Sequence, residues 1–228
     1  MNELLKMIDD FNRKERYFVF TQATGNRDFK LGGKFRKELS EAAGTEIPES
    51  ARAYIDYHLD WLHAAVHIAT NPGGGPVWPN SVPGTVGSQV STGNQEDIDL
   101  VVAFEDQGTT WLILVEAKAD TGWGNRQLES KAERLRRIFG ESDMAVGSAI
   151  RPVFCLWSPR RPIGLITRNW PEWMLQGSGD PRSRDFRWFP LTVPPGRKKV
   201  IGCDALGKPS KNRPFWKVTE ASVSSPLE

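Results

Sequence analysis

Asp99, Glu116 and Lys118 are the residues whose types and spacing point most directly to chemistry. Asp99 stands at the head of an apolar run, Leu100-Val101-Val102-Ala103-Phe104. Glu116 and Lys118 stand at the tail of another, Trp111-Leu112-Ile113-Leu114-Val115. Charges at the ends of core strands are costly unless they are paired or bind a metal ion. Side chains alternate along a strand, so Glu116 and Lys118 share one face, Ala117 takes the other, and Asp97 shares a face with Asp99. The turn signal Glu105-Asp106-Gln107-Gly108 separates the runs and predicts an antiparallel hairpin. The head of one strand then lies beside the tail of the next. Two carboxylates and an ammonium meeting there suit a hard divalent cation and an attacking water.

Other elements must position this hairpin. Leu4, Leu5, Ile8 and Phe11 recur at helical spacing and predict a helix over 2–16. A second helix is expected over Gly33–Ala43, stopped by Gly44. A long third helix is expected from about Ser50 to Thr70, ended by Asn71-Pro72, with Tyr54, Tyr57, Trp61 and Ala65 as its buried stripe. Its other side carries Asp56, Asp60, His63 and His67. Such a stripe either binds a transition metal or, more commonly, forms a hydrogen-bonded polar face. In a third reading Asp56 or Asp60 reaches the Asp99 site as an extra ligand, with Glu41, Glu46 and Glu49 as competitors for that role.

Asn71 to Gly93 is rich in glycine and proline and reads as a connector, with Val86–Val90 as a candidate first strand. After the hairpin, Leu128, Ala132, Leu135 and Ile138/Phe139 predict an amphipathic helix over Arg126–Phe139, whose polar faces carry Gln127, Lys131, Arg134 and Arg137. A buried strand is expected over Ala149–Trp157, a short helix over Trp170–Leu175, and strands over Arg187–Leu191 and Lys199–Cys203. The tail from Ala221 is polar and expected to fray. This order gives a mixed sheet with helices on its faces, an α/β or α+β domain. It divides into an N-terminal helical segment (1–50), a core (51–160) and a basic, Trp-rich C-terminal extension of the same domain (161–228).

Composition narrows the classes. The 228 residues include no apolar run long enough to span a bilayer, and the first residues lack the pattern of a signal peptide. Two cysteines, Cys155 and Cys203, give no disulfide framework and no zinc pattern, so a cytoplasmic protein is expected. Net charge is only +2, but it is unevenly spread: residues 151–228 hold 14 Lys/Arg against 6 Asp/Glu, leaving 16 against 22 upstream. Arg160-Arg161, Arg182/Arg184/Arg187, Arg197-Lys198-Lys199 and Lys208/Lys211/Arg213 form the clusters. A basic region beside an acidic pocket suits a polyanion held over a metal site, whereas a merely solvated basic surface is the plainer reading.

The order of elements, with Asp99 before its apolar run and Glu116-Ala117-Lys118 closing the next, resembles the PD-(D/E)XK nuclease superfamily, the restriction-endonuclease-like fold. That core is a helix, a three-stranded antiparallel meander, a helix and a further strand, and it maps from about Ala51 to Trp157. Gln127 resembles a Gln that many members carry on the following helix. Lys131 stands where some members have Tyr, and Ile98 stands where a Pro often precedes the Asp. The resemblance implies a Mg²⁺- or Mn²⁺-dependent nuclease. Asp99, Glu116 and the Ala117 carbonyl would ligate the ion, with Asp97 a competitor for the place of Asp99. Lys118 would orient the water and stabilise developing charge, and Gln127 would position Lys118 or a phosphate. Nucleic acid, with DNA first, is the implied partner, no membrane is involved, and a homodimer is one working form. Trp123 and the C-terminal basic clusters are candidates for holding the strand, Trp123 more readily read as core. Two other classes compete: a non-catalytic nucleic-acid-binding module, and a protein-interaction component docking through its Trp-rich C-terminal third.

Overall fold

The hairpin forms, and it becomes the middle of a wider sheet. A computed structural model describes residues 2–11, 14–26, 29–75, 77–80, 89, 91, 93, 96–119, 122–142, 149–176 and 185–220. Strands β2 (Asp97–Asp106) and β3 (Thr109–Ala117) pair antiparallel across a two-residue turn. Gln107 and Gly108 both take positive φ (48° and 78°), the turn geometry that matches strand twist. Strand β1 (Arg52–His58) adds antiparallel to β2, and β4 (Ile150–Ser158) adds parallel to β3. Strands β5 (Leu175–Gln176) and β6 (Asp185–Pro190) complete a mixed six-stranded sheet in the order β1-β2-β3-β4-β6-β5. This α+β architecture, a mixed sheet flanked by helices, is the fold class read from the sequence.

Alternation along β3 divides the core in two. Leu112 and Leu114 face one side, where α1 (Glu3–Asp10), α4 (Leu59–Thr70) and α5 (Asn125–Phe139) pack. Ile113 and Val115 face the other, against Leu39 and Ala43 of α3 (Gly33–Ala43) and Ile47. Helix α5 carries the chain from β3 to its parallel neighbour β4, the crossover that such a pair requires. Its stripe Leu128, Ala132, Leu135 and Phe139 is fully buried.

Three expectations need correction. The long helix over Ser50–Thr70 is instead strand β1 followed by α4. Tyr54, Tyr57 and Trp61 have helical spacing, but pairing Arg52–His58 with β2 satisfies the backbone along a sheet edge and overrides that periodicity. His58 makes the switch: its backbone is extended and its ring Nδ1 accepts the Asp60 N–H at 3.1 Å, capping α4. The first strand of the meander is therefore β1, and Val86–Val90 lies, Gln89 apart, outside the described residues. The helix over 2–16 ends at Asp10, and a further helix, α2 (Glu15–Thr24), follows it. Past β6 the chain forms a separate two-stranded sheet, β7 (Lys198–Cys203) with β8 (Phe215–Glu220), of which only β7 was anticipated. The tail from Ala221 lies outside the described residues. Among the described residues no helix is long and apolar enough to cross a membrane.

Candidate metal centre

A fork in the sheet holds the candidate site. The β2–β3 ladder stops at Leu100↔Val115, although β2 begins at Asp97 and β3 continues to Ala117. Beyond that pair β3 stays with β4, where Lys118 donates its backbone N–H to the Trp157 carbonyl at 2.9 Å. Asp99 fills the gap from the β2 side: its Oδ2 accepts the Ala117 backbone N–H at 2.7 Å. On the other flank of β2, pairing with β1 skips the position where Asp56 faces Asp99, and Asp56 takes φ 50°. A non-glycine residue there is strained, and Asp is one of the few that tolerate it.

Among the described residues, Asp97, Asp99 and Glu116 with Lys14, Lys118 and Lys131 lie round the fork. Glu116 is buried on the α5 side and pairs with the equally buried Lys131 of α5. Lys131 also donates to the Asp97 carbonyl at 2.5 Å. Asp97 pairs through Oδ2 with Lys14, while its Oδ1 is buried without a hydrogen-bond partner. Asp99 is the carboxylate of the three whose only hydrogen bond among the described residues is to a peptide N–H. Burial pushes the Glu116 carboxyl up to about 7 and the Asp99 charge adds to that rise, whereas Lys131 and Lys118 oppose it. Lys118 is half-buried and near enough to Glu116 for its charge to be felt.

The fork thus brings together Asp99, Glu116, the Ala117 peptide and Lys118. Gln127 is exposed in the first turn of α5, four residues before Lys131 and so on the same helical face. Among the described residues, no three His, Cys, Asp or Glu side chains gather closely enough to hold a metal ion. The upstream acids lie elsewhere, Glu41 exposed on α3. Asp56 pairs with Arg16 at 3.2 Å. Asp60 pairs with the buried Arg134 and accepts from Ser91 Oγ at 2.9 Å and the Gly93 N–H at 3.2 Å. Burial works to raise the Asp60 carboxyl, but these three donors outweigh it and hold it below the usual carboxylate range. Glu46 and Glu49 line a cavity of about 390 Å³ beside α3, whose buried residues pack on the opposite face of the sheet from Glu116. The Asp56/Asp60/His63/His67 stripe does not exist as one helix face, since Asp56 lies on β1. His63 stacks on His67 with centroids 5.9 Å apart, and burial with the charges of His67 and Arg134 pushes it down to about 4.

Trp123 packs against the core and donates to Ser158 Oγ at 3.2 Å, the core role. Of the basic clusters, Arg161 pairs with Asp185 over the Phe186 ring and Arg187 donates to the Trp173 carbonyl, while Arg182 and Arg184 lie outside the described residues. Lys131 and Lys14 were not anticipated here. Lys131 falls three residues after Leu128 and four before Leu135, on the apolar stripe, and that position was the available signal. Nothing local links Lys14 to Asp97, 83 residues away.

The donor set suits a hard cation. Mg²⁺ takes oxygen ligands, keeps several waters and is commonly held by one or two carboxylates, so Asp99, Glu116 and the Ala117 carbonyl are the residues that would hold one without a third acid. Lys131 is the competitor, because its ammonium occupies one Glu116 oxygen. No family model, curated protein or solved structure matches the chain.

Proposed function

We propose that the chain is a divalent-cation-dependent phosphodiester hydrolase acting on nucleic acid, with DNA the expected polymer. The observation that carries this reading is Asp99 set into the strand fork beside Glu116 and held, among the described residues, by a peptide N–H and by no lysine. A carboxylate left without a cationic partner beside a second, buried one is electrostatically costly until a cation joins them. Bound Mg²⁺ or Mn²⁺ would supply Lewis acidity and an activated water. Asp99, Glu116 and the Ala117 carbonyl hold the ion. Lys118 stabilises negative charge developing on the phosphate, a role that requires its ammonium to stay uncommitted. Gln127 orients a phosphate from the rim of α5. Glu116 must release its proton to serve, so cation affinity rises as pH passes about 7.

The buried Lys131 supports a second reading, a nucleic-acid-binding module that does not cut. With its ammonium on Glu116, the pair is neutral without a metal once Glu116 has lost its proton. The cytoplasm is the setting we propose, since Cys155 and Cys203 are both free and buried, as suits a reducing compartment. Cleavage of both strands of a duplex would bring two copies together.

Labelled single- and double-stranded oligonucleotides with Mg²⁺, Mn²⁺ or EDTA separate the readings. The hydrolase cuts with either metal, is silent in EDTA, and loses at least about a hundredfold in rate in Asp99→Ala and Lys118→Ala. Cutting that survives EDTA or both substitutions overturns the mechanism. Binding without cutting in any metal leaves the second reading.

A further inference from the structure

The β7–β8 hairpin carries a feature the fork does not use. Its two strands pair over six positions, from Lys198↔Glu220 to Cys203↔Phe215, as a sheet of their own. Alternation puts Val200, Val218 and Trp216 on one face, and all three are exposed, Trp216 at 70%. Gly202, directly across from Trp216, leaves room for the Arg213 side chain: a Cβ at Gly202 would sit 2.3 Å from Arg213 Cγ. The aliphatic stem of Arg213 therefore lies across the strand from the indole. Phe215, on the other face, is also more than half exposed.

Charge decides what such a surface fits. Residues 197–220 hold seven Lys/Arg and two Asp/Glu, a net +5. One of the two acids, Asp204, is spent on capping the turn, accepting the Leu206 and Lys208 N–H groups at 2.9 Å. Lys198, Lys199, Lys208, Lys211, Arg213 and Lys217 are all exposed. Protein interfaces favour aromatic residues but are depleted in lysine, so a hairpin that exposes several lysines along with its indole argues against a protein partner. Cations meet phosphates, and flat apolar rings meet bases. Only a single strand offers both together, because a duplex stacks its base faces away.

The geometry points to the β7–β8 hairpin as a binding site for single-stranded nucleic acid, with Trp216 as the stacking platform and the hairpin lysines and arginines along the phosphates. This deepens the proposed function and rests on that reading for its link to cleavage, but binding in EDTA reads the hairpin alone.

The test uses the full chain in EDTA and a fluorescein-labelled oligothymidylate of about 20 nucleotides, a length that covers at least one typical single-strand site. A duplex of equal length and phosphatidylserine vesicles serve as rivals. Single-stranded DNA is expected to bind at least about tenfold more tightly than duplex, with affinity falling steeply in salt. Trp216→Ala is expected to weaken binding about tenfold, and Trp216→Phe to retain most of it. Lys198→Gln with Arg213→Gln, both on the Trp216 face, should flatten the salt dependence by about 1.4 units of slope, at about 0.7 per lost phosphate contact. Far-ultraviolet circular dichroism checks that each variant folds. Unchanged affinity in Trp216→Ala, tighter binding of duplex, or binding of vesicles in place of DNA overturns the assignment. Cleavage that persists when hairpin binding fails, or the reverse, shows which of the two proposals is wrong.

Discussion

Removing the Lys131 ammonium is the sharpest probe of the fork. Lys131→Met keeps the chain's length and apolar stem but leaves Glu116, only 3% exposed, without its cation. In the intact chain Glu116 already rises from its ordinary 4.5 to about 7, a difference of about 3 kcal/mol between folded and unfolded states. The folded chain keeps the proton at pH values where the unfolded chain has released it, so this group's contribution to stability is full below about 4.5 and is lost as pH rises through about 7. Without Lys131 the folded carboxyl rises further, and the loss at alkaline pH deepens. Breaking a buried ion pair from one side costs about 3–5 kcal/mol, expected in full at about pH 8. At about pH 5 Glu116 is protonated in both proteins. What remains there is the lost hydrogen bond to the Asp97 carbonyl, about 1–2 kcal/mol. Urea unfolding reads both values; with a slope of about 2 kcal/mol per molar, the midpoint should fall by about 2 M at the higher pH and by under about 1 M at the lower. Equal shifts at both pH values, or a shift below about 0.5 M at pH 8, would refute the buried pair.

Other expectations follow from the same geometry. Lys118→Ala should leave the urea midpoint nearly unchanged, because its side chain is half-buried and among the described residues only its backbone N–H is tied down, while cleavage falls at least about a hundredfold. Asp56→Asn keeps a residue suited to φ 50° and removes a charge already paired with Arg16, so calorimetric Mn²⁺ affinity should change by less than about threefold. A larger loss would make Asp56 a ligand. Arg134→Met leaves the half-buried Asp60 carboxylate without its guanidinium and should lower stability by about 1–3 kcal/mol in urea; a loss under about 0.5 kcal/mol would mean that Ser91 and Gly93 alone hold that carboxylate.

Local rules made the middle of the fold legible. Continuous apolar runs and a turn signal gave β2 and β3, and a 3.6-residue stripe gave α5. Tyr54, Tyr57 and Trp61 fit a helical period, and Asp56 breaks the strand's own alternation with its positive φ, so β1 was hidden until β2 lay beside it. Helix α2 holds Tyr17-Phe18-Val19-Phe20 in succession, which gives no one-sided stripe to read. The site shows the same division. Asp99, Glu116 and Lys118 were marked by charge at strand ends, a local signal. Lys131 was assigned to a polar face by its charge, although its place on the stripe buries it against Glu116. Lys14 meets Asp97 only through tertiary folding, which no spacing along the chain encodes.

Mn²⁺ binding followed by electron paramagnetic resonance tests the fork most directly, because it needs neither substrate nor turnover. At about pH 8 the chain is expected to bind one ion in competition with Mg²⁺, and Asp99→Asn to weaken that binding at least about tenfold, since it removes one of the two proposed carboxylate ligands. A spectrum of free Mn²⁺ at every protein concentration, or the same affinity in Asp99→Asn, would contradict the account.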